Sequence, residues 1–160
     1  MNILVFLHGT AIMHPAAEHV SREERVQQVR DREPSVSDYR LYVPTPGAVE
    51  KIEAWCQRGA SVAYFTSHRH PEDIAADEEV LRRHGFPTGP VHARRPNESY
   101  GAAVQRLHPD LVIEDDCESI GGALETIDAQ LTDAASRNIR CIVLPEFAGL
   151  GSLSDDPAEL

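Results

Sequence analysis

The chain begins with an apolar segment that breaks abruptly into a polar turn. Residues 3–7 are all apolar and lack helical spacing, and His8, Gly9 and Thr10 follow them directly. Such an unbroken run is typical of a strand that is buried on both faces of a sheet. In open α/β sheets, ligands bind beyond the carboxyl ends of the strands. The His-Gly-Thr turn is therefore the first place where we expect chemistry.

Strand-like and helix-like segments alternate along the rest of the chain. Amphipathic segments with helical spacing separate most of the apolar runs, and connections of this length favour right-handed crossovers between parallel strands. The sequence therefore predicts a three-layer, Rossmann-like α/β domain with helices on both faces of a parallel five-stranded sheet. After the first strand, the predicted strands are residues 61–65, 90–93, 110–113 and 141–144.

Capping signals and apolar spacing locate the predicted helices. A Ser or Asn before an apolar face, or a Pro in the first turn, is typical of a helix start. The first helix has the spacing of a capping box and is predicted to run to about Arg32. The predicted starts are Ser21, Thr45-Pro46, Pro71 and Asn97, and Leu124, Ile127 and Leu131 mark a fifth helix.

The length of 160 residues predicts one domain, which we place at residues 1–151. Residues 11–44 are polar and carry only one convincing helix, so we interpret them as a small flap or cap inserted after the first strand. Residues 152–160 are acidic and poor in apolar groups, which predicts a flexible tail.

The charge of the chain limits its partners. The formal net charge is −11, from 15 basic and 26 acidic residues. Because nucleic acid and anionic membranes attract basic surfaces, we expect neither as a partner. No apolar run approaches the roughly 20 residues that span a bilayer, and the N-terminus lacks the basic region of a signal peptide. The three cysteines show no close pairing and fit a reducing compartment, so we expect a cytoplasmic location. A homodimer is compatible with the sequence.

Three polar clusters follow predicted strands and should meet at one edge of the sheet. They are His8 to Thr10, Thr66-Ser67, and Glu114-Asp115-Asp116. With the later pair Arg94-Arg95, this pattern resembles the haloacid dehalogenase-like superfamily over about residues 1–144. The resemblance implies the fold of that family and the activity of many of its members, which are magnesium-dependent phosphatases.

The first motif departs from the family in its chemistry. In the family, an Asp attacks phosphorus and a second Asp transfers a proton; the matching positions here are Phe6 and His8. A phenyl ring cannot form an acyl phosphate, and residues 1–17 contain no carboxylate that could replace it. Imidazole titrates near neutrality, so His8 is our candidate general acid and base. A phosphoacceptor role, or a structural role with the ring bonded to a backbone carbonyl, are the alternatives for His8.

The resemblance also implies residues for binding an anion. We assign Thr66 and Arg94 to catalysis with His8, and we expect an arginine to replace the lysine of the family. The only lysine, Lys51, lies on a predicted helix. A solvated turn is the alternative interpretation of the arginine pair. The predicted substrate-binding residues are Gly9, Thr10, Ser67 and Arg95.

Acidic residues after the fourth predicted strand suggest a metal site. By resemblance, Asp115 and Asp116 would bind a divalent cation, with Mg²⁺ as the first expectation because it prefers oxygen ligands. Histidines near the same edge raise a second interpretation, in which His8 or His68 helps to bind Zn²⁺, Fe²⁺ or Mn²⁺. A solvated acidic loop without a metal is the third interpretation.

Together these features predict a non-standard, metal-dependent hydrolase or phosphotransferase that acts on a small anionic, phosphorylated molecule. Without an aspartyl-phosphate intermediate, water would attack directly. The alternative is a catalytically inactive protein that binds or senses an anion, and a scaffold subunit is a weaker third hypothesis. The presence of a nucleophile separates the enzyme from the binding protein.

Overall fold

A computed structural model describes residues 1–131 and 138–160 of the protein. Its main sheet contains five parallel strands in the order β5-β4-β1-β6-β7, which confirms the predicted α/β, Rossmann-like fold. A two-stranded antiparallel pair, β2 with β3, lies apart from it. The strands are β1 Asn2–Phe6, β2 Ile12–Met13, β3 Val43–Pro44, β4 Ser61–Phe65, β5 Val91–His92, β6 Leu111–Asp115 and β7 Arg140–Leu144.

The central strand β1 is buried on both faces, as its unbroken apolar sequence predicts. Val5 packs in a cluster with Trp55 and Val80, whereas Leu4 packs in the opposite cluster with Val104. This alternation follows from the two-residue period of a strand. Packing on both faces of the sheet therefore fixes the position of the carboxyl end of β1, and with it the position of the turn that follows.

The helices begin close to the predicted positions, with two corrections. α2 begins at Ala48 after Gly47, whose φ of +71° is left-handed, so Thr45 lies outside the helix. α4 is capped by Ser99, whose Oγ accepts from the amide of Ala102, because Asn97 has a φ of +62° rather than the extended backbone of a cap. The helices are α1 Arg22–Arg30, α2 Ala48–Gln57, α3 Pro71–Arg83, α4 Tyr100–Leu107 and α5 Ile127–Gln130.

The fifth predicted helix is divided. A 3₁₀ turn covers Gly122–Glu125, and Thr126 then caps the short α5. Leu124, which was expected on the apolar face, is 84% exposed. Residues 132–137, which follow this region, lie outside the described part of the chain. Across the residues that are described, each helix is either too short or too polar to cross a bilayer.

The inserted segment, residues 11–44, packs beside the turn that follows β1. It contains β2, α1, β3 and three 3₁₀ turns, Pro15–Ala17, Pro34–Ser37 and Tyr39–Leu41. The guanidinium of Arg83 at the end of α3 donates to the carbonyl oxygens of Arg40 and Tyr42, at 2.7 and 3.1 Å. Val26 of α1 packs with Phe147, which follows β7. The segment is thus held at both sides of the sheet edge.

The last nine residues depart from the expectation of a frayed tail. The indole Nε1 of Trp55 donates to the carbonyl oxygen of Ser154 at 2.9 Å, and Lys51 donates to the carbonyl oxygen of Leu153 at 2.6 Å. Lys51 also contacts the Asp155 carboxylate, and Pro157 is buried. Composition did not reveal this packing because the groups that hold the tail belong to α2.

Removing residues 153–160 should expose Trp55, the only tryptophan. Loss of its hydrogen bond alone is worth about 1 kcal/mol, and each kcal/mol lowers Tm by roughly 2–4 °C in a chain of this size. We expect a lower Tm and a shift of tryptophan emission to longer wavelength under native conditions. Ser152→Ala, at an exposed position, is the control. Unchanged emission and Tm in the truncated protein would show that the tail is not part of the core.

Candidate functional site

A cavity of about 380 Å³ opens at the carboxyl edge of the sheet. It is bounded by the segments that follow β1, β4, β6 and β7 and by the inserted segment. Of the predicted site residues, the structure brings His8, Gly9, Ser67 and Asp115 to its wall. Further lining residues include Phe6, Tyr39, Tyr42, Phe65, His68, Tyr100, Glu114, Cys117, Ser119, Glu146 and Phe147.

The first group of polar side chains, here called the histidine cluster, consists of His8, His68 and Asp77. Asp77 lies on α3 and is fully buried. One of its oxygens is 3.0 Å from Nε2 of His8, and the other is 2.9 Å from Nδ1 of His68. Burial alone would raise the pKa of Asp77, but hydrogen bonds with His68, His8 and Thr66 outweigh it, and the pKa lies well below its usual value. Asp77 is therefore an ionised, fully buried acceptor.

Three further side chains contact His8 beside Asp77. Its Nδ1 lies 2.9 Å from the Oγ of Ser67, and its ring packs edge-on against Tyr42 with centroids 5.6 Å apart. The ring of His68 is 4.3 Å away. The alternative in which the ring of His8 bonds a backbone carbonyl is not what the structure shows, because both nitrogens face side-chain oxygens.

Thr66 occupies a different place from the predicted one. Its hydroxyl is fully buried and donates to Asp77 at 2.6 Å, while its oxygen accepts from the amide of His68. The side chain therefore positions Asp77 and the turn after β4, and it does not face the cavity as a catalytic group would. Ser67, one residue later, is exposed at the cavity wall.

The second group, here called the acidic cluster, consists of Asp115, Asp116 and Glu146, and one carboxylate oxygen of each lies within 4.8 Å of one oxygen of the other two. Burial is the main cause that raises the pKa of Asp115, and burial also raises the pKa of Glu146 to about 7. The neighbouring carboxylates add to both shifts. Crowded, partly desolvated carboxylates of this kind suit a hard divalent cation.

Hydrogen bonds fix the acidic cluster in place. Thr10 donates to Asp115 at 2.7 Å, so its hydroxyl is used inside the wall and does not serve as the predicted substrate contact. The amide of Glu146 donates to Asp116 at 3.0 Å. Ser119 donates to Glu146 through both its amide and its hydroxyl, at 2.7 Å each. Glu114, in contrast, accepts from the amide of Ile127 at the start of α5.

Gly9 lies against the acidic cluster. Its φ is +84°, and a Cβ at this position would lie 2.8 Å from Oδ2 of Asp115 and 3.1 Å from Cγ of Glu146. Only glycine combines this backbone conformation with so close an approach. The turn after β1 therefore carries His8 of the histidine cluster at one residue and contacts the acidic cluster at the next.

The predicted arginines do not reach the cavity. The guanidinium carbon of Arg94 lies 3.8 Å from the ring centre of Tyr100, which itself lines the cavity, and Arg95 is exposed. β5 is a two-residue strand at the edge of the sheet, so the chain leaves it too far from the central strand. Among the described residues, the wall contains no lysine or arginine. An anion bound there would need its charge balanced by other means.

Phe6, which the sequence resemblance aligns with the family's nucleophile, forms part of the wall. Its ring stacks on Phe65 of the neighbouring strand with centroids 4.9 Å apart. Cys117, the cysteine nearest the acids, is no substitute nucleophile. Burial first, and then the surrounding carboxylates, raise the pKa of its thiol far above the usual value.

Sequence reasoning missed Asp77 and Glu146. Asp77 lies between Ile74 and Val80 on the apolar face of α3, and a charged residue on such a face is a signal that could have identified it. Glu146 comes two residues after β7, at the same edge as the other acids. Tyr39 and Tyr42 had no comparable signal, because their place depends on how the inserted segment folds.

The raised pKa of Glu146 predicts a pH-dependent stability of the metal-free protein. The folded state holds this proton more tightly than the unfolded chain, so its contribution is complete below the usual value of 4.5 and is lost as pH rises through about 7. Between pH 5 and 8, the free energy of unfolding of Glu146→Gln should therefore rise by about 2–3 kcal/mol relative to that of the wild type. Urea unfolding with a chelator present measures this. A constant difference between the two proteins would contradict it.

No family model matches the chain, and no curated protein matches it. Among solved structures, the chain is similar to a class C acid phosphatase from Bacillus anthracis with tungstate bound. The TM-score is 0.58 and the sequence identity is 15%, and the match covers 92% of this chain and 68% of the phosphatase chain. It is also similar to a chain of a Pnkp1/Rnl/Hen1 complex. The TM-score is 0.54 and the sequence identity is 9%, and the match covers 91% of this chain and 46% of the other. At such identities the likeness concerns architecture. The chain has the haloacid dehalogenase-like fold that its motifs predict.

Proposed function

We propose that the protein is a divalent-cation-dependent hydrolase or phosphotransferase for a small phosphorylated molecule and that it works without an aspartyl-phosphate intermediate. The observation that carries the proposal is the shared cavity: His8 of the histidine cluster and Asp115 and Glu146 of the acidic cluster all line it. A proton-transfer group and a cation site are thus within reach of one small ligand.

The acidic cluster would hold the cation. Asp115, Asp116 and Glu146 supply only oxygen ligands, which favours Mg²⁺ or Mn²⁺. A cation bound there would balance the charge of phosphoryl oxygens in a wall that offers carboxylates but, within the described residues, no lysine or arginine. Zn²⁺, Fe²⁺ or Mn²⁺ at His8 and His68 is the alternative, and in the present arrangement Asp77 already satisfies one nitrogen of each ring.

His8 would transfer protons. Its side chain is 20% exposed, so it reaches the cavity while its other edge is fixed by buried Asp77. A fixed imidazole with one nitrogen toward the reacting group is the usual arrangement of a general acid and base. The acid phosphatase with tungstate bound shares the fold, which supports a phosphatase-like activity in general terms.

Binding of the cation can be measured without a substrate. Mg²⁺ or Mn²⁺ at 100 times its Kd should stabilise the wild type by about 2.7 kcal/mol, seen as a rise in Tm. Asp115→Asn and Glu146→Gln should lose most of this rise. Glu78→Gln, an exposed position on α3, should keep it. Equal rises in all four proteins would remove the acidic cluster as the cation site.

Turnover tests the activity itself. With Mg²⁺ or Mn²⁺ and a panel of small phosphoesters, His8→Gln should lower kcat by about 10²-fold or more, the usual contribution of a general acid or base. His70→Ala is the control, because His70 is exposed and lies outside the cavity wall. Activity that is unaffected by His8→Gln would remove His8 from the mechanism. Phosphate-dependent stabilisation without any turnover would instead support an inactive anion-binding protein.

A further inference from the structure

We propose that Ser67 is the nucleophile of this site, with His8 as its general base and Asp77 as the residue that positions His8. The proposal rests on the proposed function and deepens it, because it replaces direct attack by water with a covalent phosphoserine intermediate. Three side chains from separate parts of the chain carry it: one follows β1, one follows β4 and one lies on α3.

The distances form a continuous hydrogen-bonded series. The Oγ of Ser67 is 2.9 Å from Nδ1 of His8, and Nε2 of His8 is 3.0 Å from Oδ1 of Asp77. A nucleophile, a base and a group that orients the base, each within hydrogen-bond reach of the next, are the features of an activated serine.

The partners of Asp77 determine where the protons lie. Its second oxygen accepts from the hydroxyl of Thr66 and faces Nδ1 of His68, and the carboxylate is fully buried. An ionised carboxylate can only accept, so Nε2 of a neutral His8 carries the proton. Nδ1 of His8 is then the acceptor, and the hydroxyl of Ser67 donates to it. This is the tautomer that a general base requires.

Strand pairing explains why His8 and Ser67 meet. β1 and β4 are parallel neighbours with Phe6 opposite Phe65. The pairing continues past the strands, since the amide of Leu7 donates to the carbonyl oxygen of Phe65 at 3.0 Å. Two residues beyond the last pair, His8 and Ser67 stand side by side at the cavity. Serine is thus placed next to the position from which the family's attacking carboxylate is missing.

Two other hydroxyls at the wall are already occupied. The hydroxyl of Ser119 donates to Glu146, a proposed cation ligand. The hydroxyl of Tyr42 donates to the carbonyl oxygen of Val36 at 2.8 Å. The hydroxyl of Ser67, in contrast, has the imidazole of His8 as its hydrogen-bond partner.

The reaction divides into two transfers. In the first, the Oγ of Ser67 forms a bond to phosphorus, the bond from phosphorus to the ester oxygen breaks, and the hydroxyl proton moves to Nδ1 of His8. The departing alkoxide takes a proton from water and leaves hydroxide. In the second, a water molecule attacks phosphorus, its surplus proton neutralises that hydroxide, the Oγ–phosphorus bond breaks, and His8 returns the proton to Oγ. Inorganic phosphate and the alcohol are the products.

A fluorophosphonate tests the nucleophile independently of phosphatase activity. In a solution with chelator, the Oγ of an activated serine forms a bond to phosphorus, fluoride leaves, and the proton goes to the base. We expect mass spectrometry of the digested wild type to place the adduct on Ser67. Ser67→Ala should abolish labelling, and His8→Gln should slow it by about 10²-fold or more. Ser61→Ala, at the exposed start of β4, should label like the wild type, and circular dichroism verifies the fold of each variant.

The outcomes separate the nucleophile from the activity. Labelling at Ser67 that depends on His8 supports the assignment even if no phosphoester in the panel turns over, in which case the proposed substrate class fails. Absence of label, label at another residue, or labelling that His8→Gln leaves unchanged overturns the assignment. Phosphoester turnover that persists in Ser67→Ala would also overturn it, while leaving the proposed function in place with water as the nucleophile.

Discussion

The position of β1 between β4 and β6 is the constraint on which the rest of the structure depends. Because the three strands are parallel and in close register, the residues after each strand meet at one edge of the sheet. Burial of β1 on both faces holds that edge in place, because a shift would disrupt the packing of its side chains against an apolar cluster on each face. His8, Ser67 and Asp115 meet for this reason, and their meeting does not depend on any direct attraction between them.

Burial acts in the same way on the two polar clusters, but the net shift in pKa is opposite because the neighbouring groups differ. Asp77 and Glu146 are both removed from water, which disfavours a charged carboxyl. Asp77 receives hydrogen bonds from two rings and a hydroxyl, and these keep it ionised. Glu146 faces two other carboxylates, which add to the effect of burial. The charge of Asp77 in the histidine cluster is therefore already compensated by its hydrogen-bond donors. The acidic cluster has an excess of negative charge that a cation would balance.

Local signals predicted the parts of the fold that are determined locally. β4 follows from its apolar run, and α3 follows from Pro71 and the apolar spacing after it, so both were found at their observed bounds or start. Predicted site residues lie at the cavity where they come at or just after the end of a central strand, as His8 and Asp115 do. Arg94 was misplaced because sequence does not reveal that β5 is a short edge strand. Asp77 was missed because its partners, His8 and His68, follow β1 and β4 and come next to α3 only when the chain folds.

The resemblance aligns Phe6 with the family's first carboxylate, and this alignment is consistent with the proposed role of Ser67. A phenyl ring stacked on Phe65 closes the space beside β1 and removes one negative charge from a cavity that already contains the acidic cluster. A neutral hydroxyl meets less repulsion from a phosphate dianion than a carboxylate does, but it needs a base to become an effective nucleophile. An imidazole at position 8, with its outer nitrogen toward Ser67 and its inner nitrogen on buried Asp77, meets that need. Under this proposal, the loss of the aspartate at position 6 and the gain of histidine at position 8 are one chemical change.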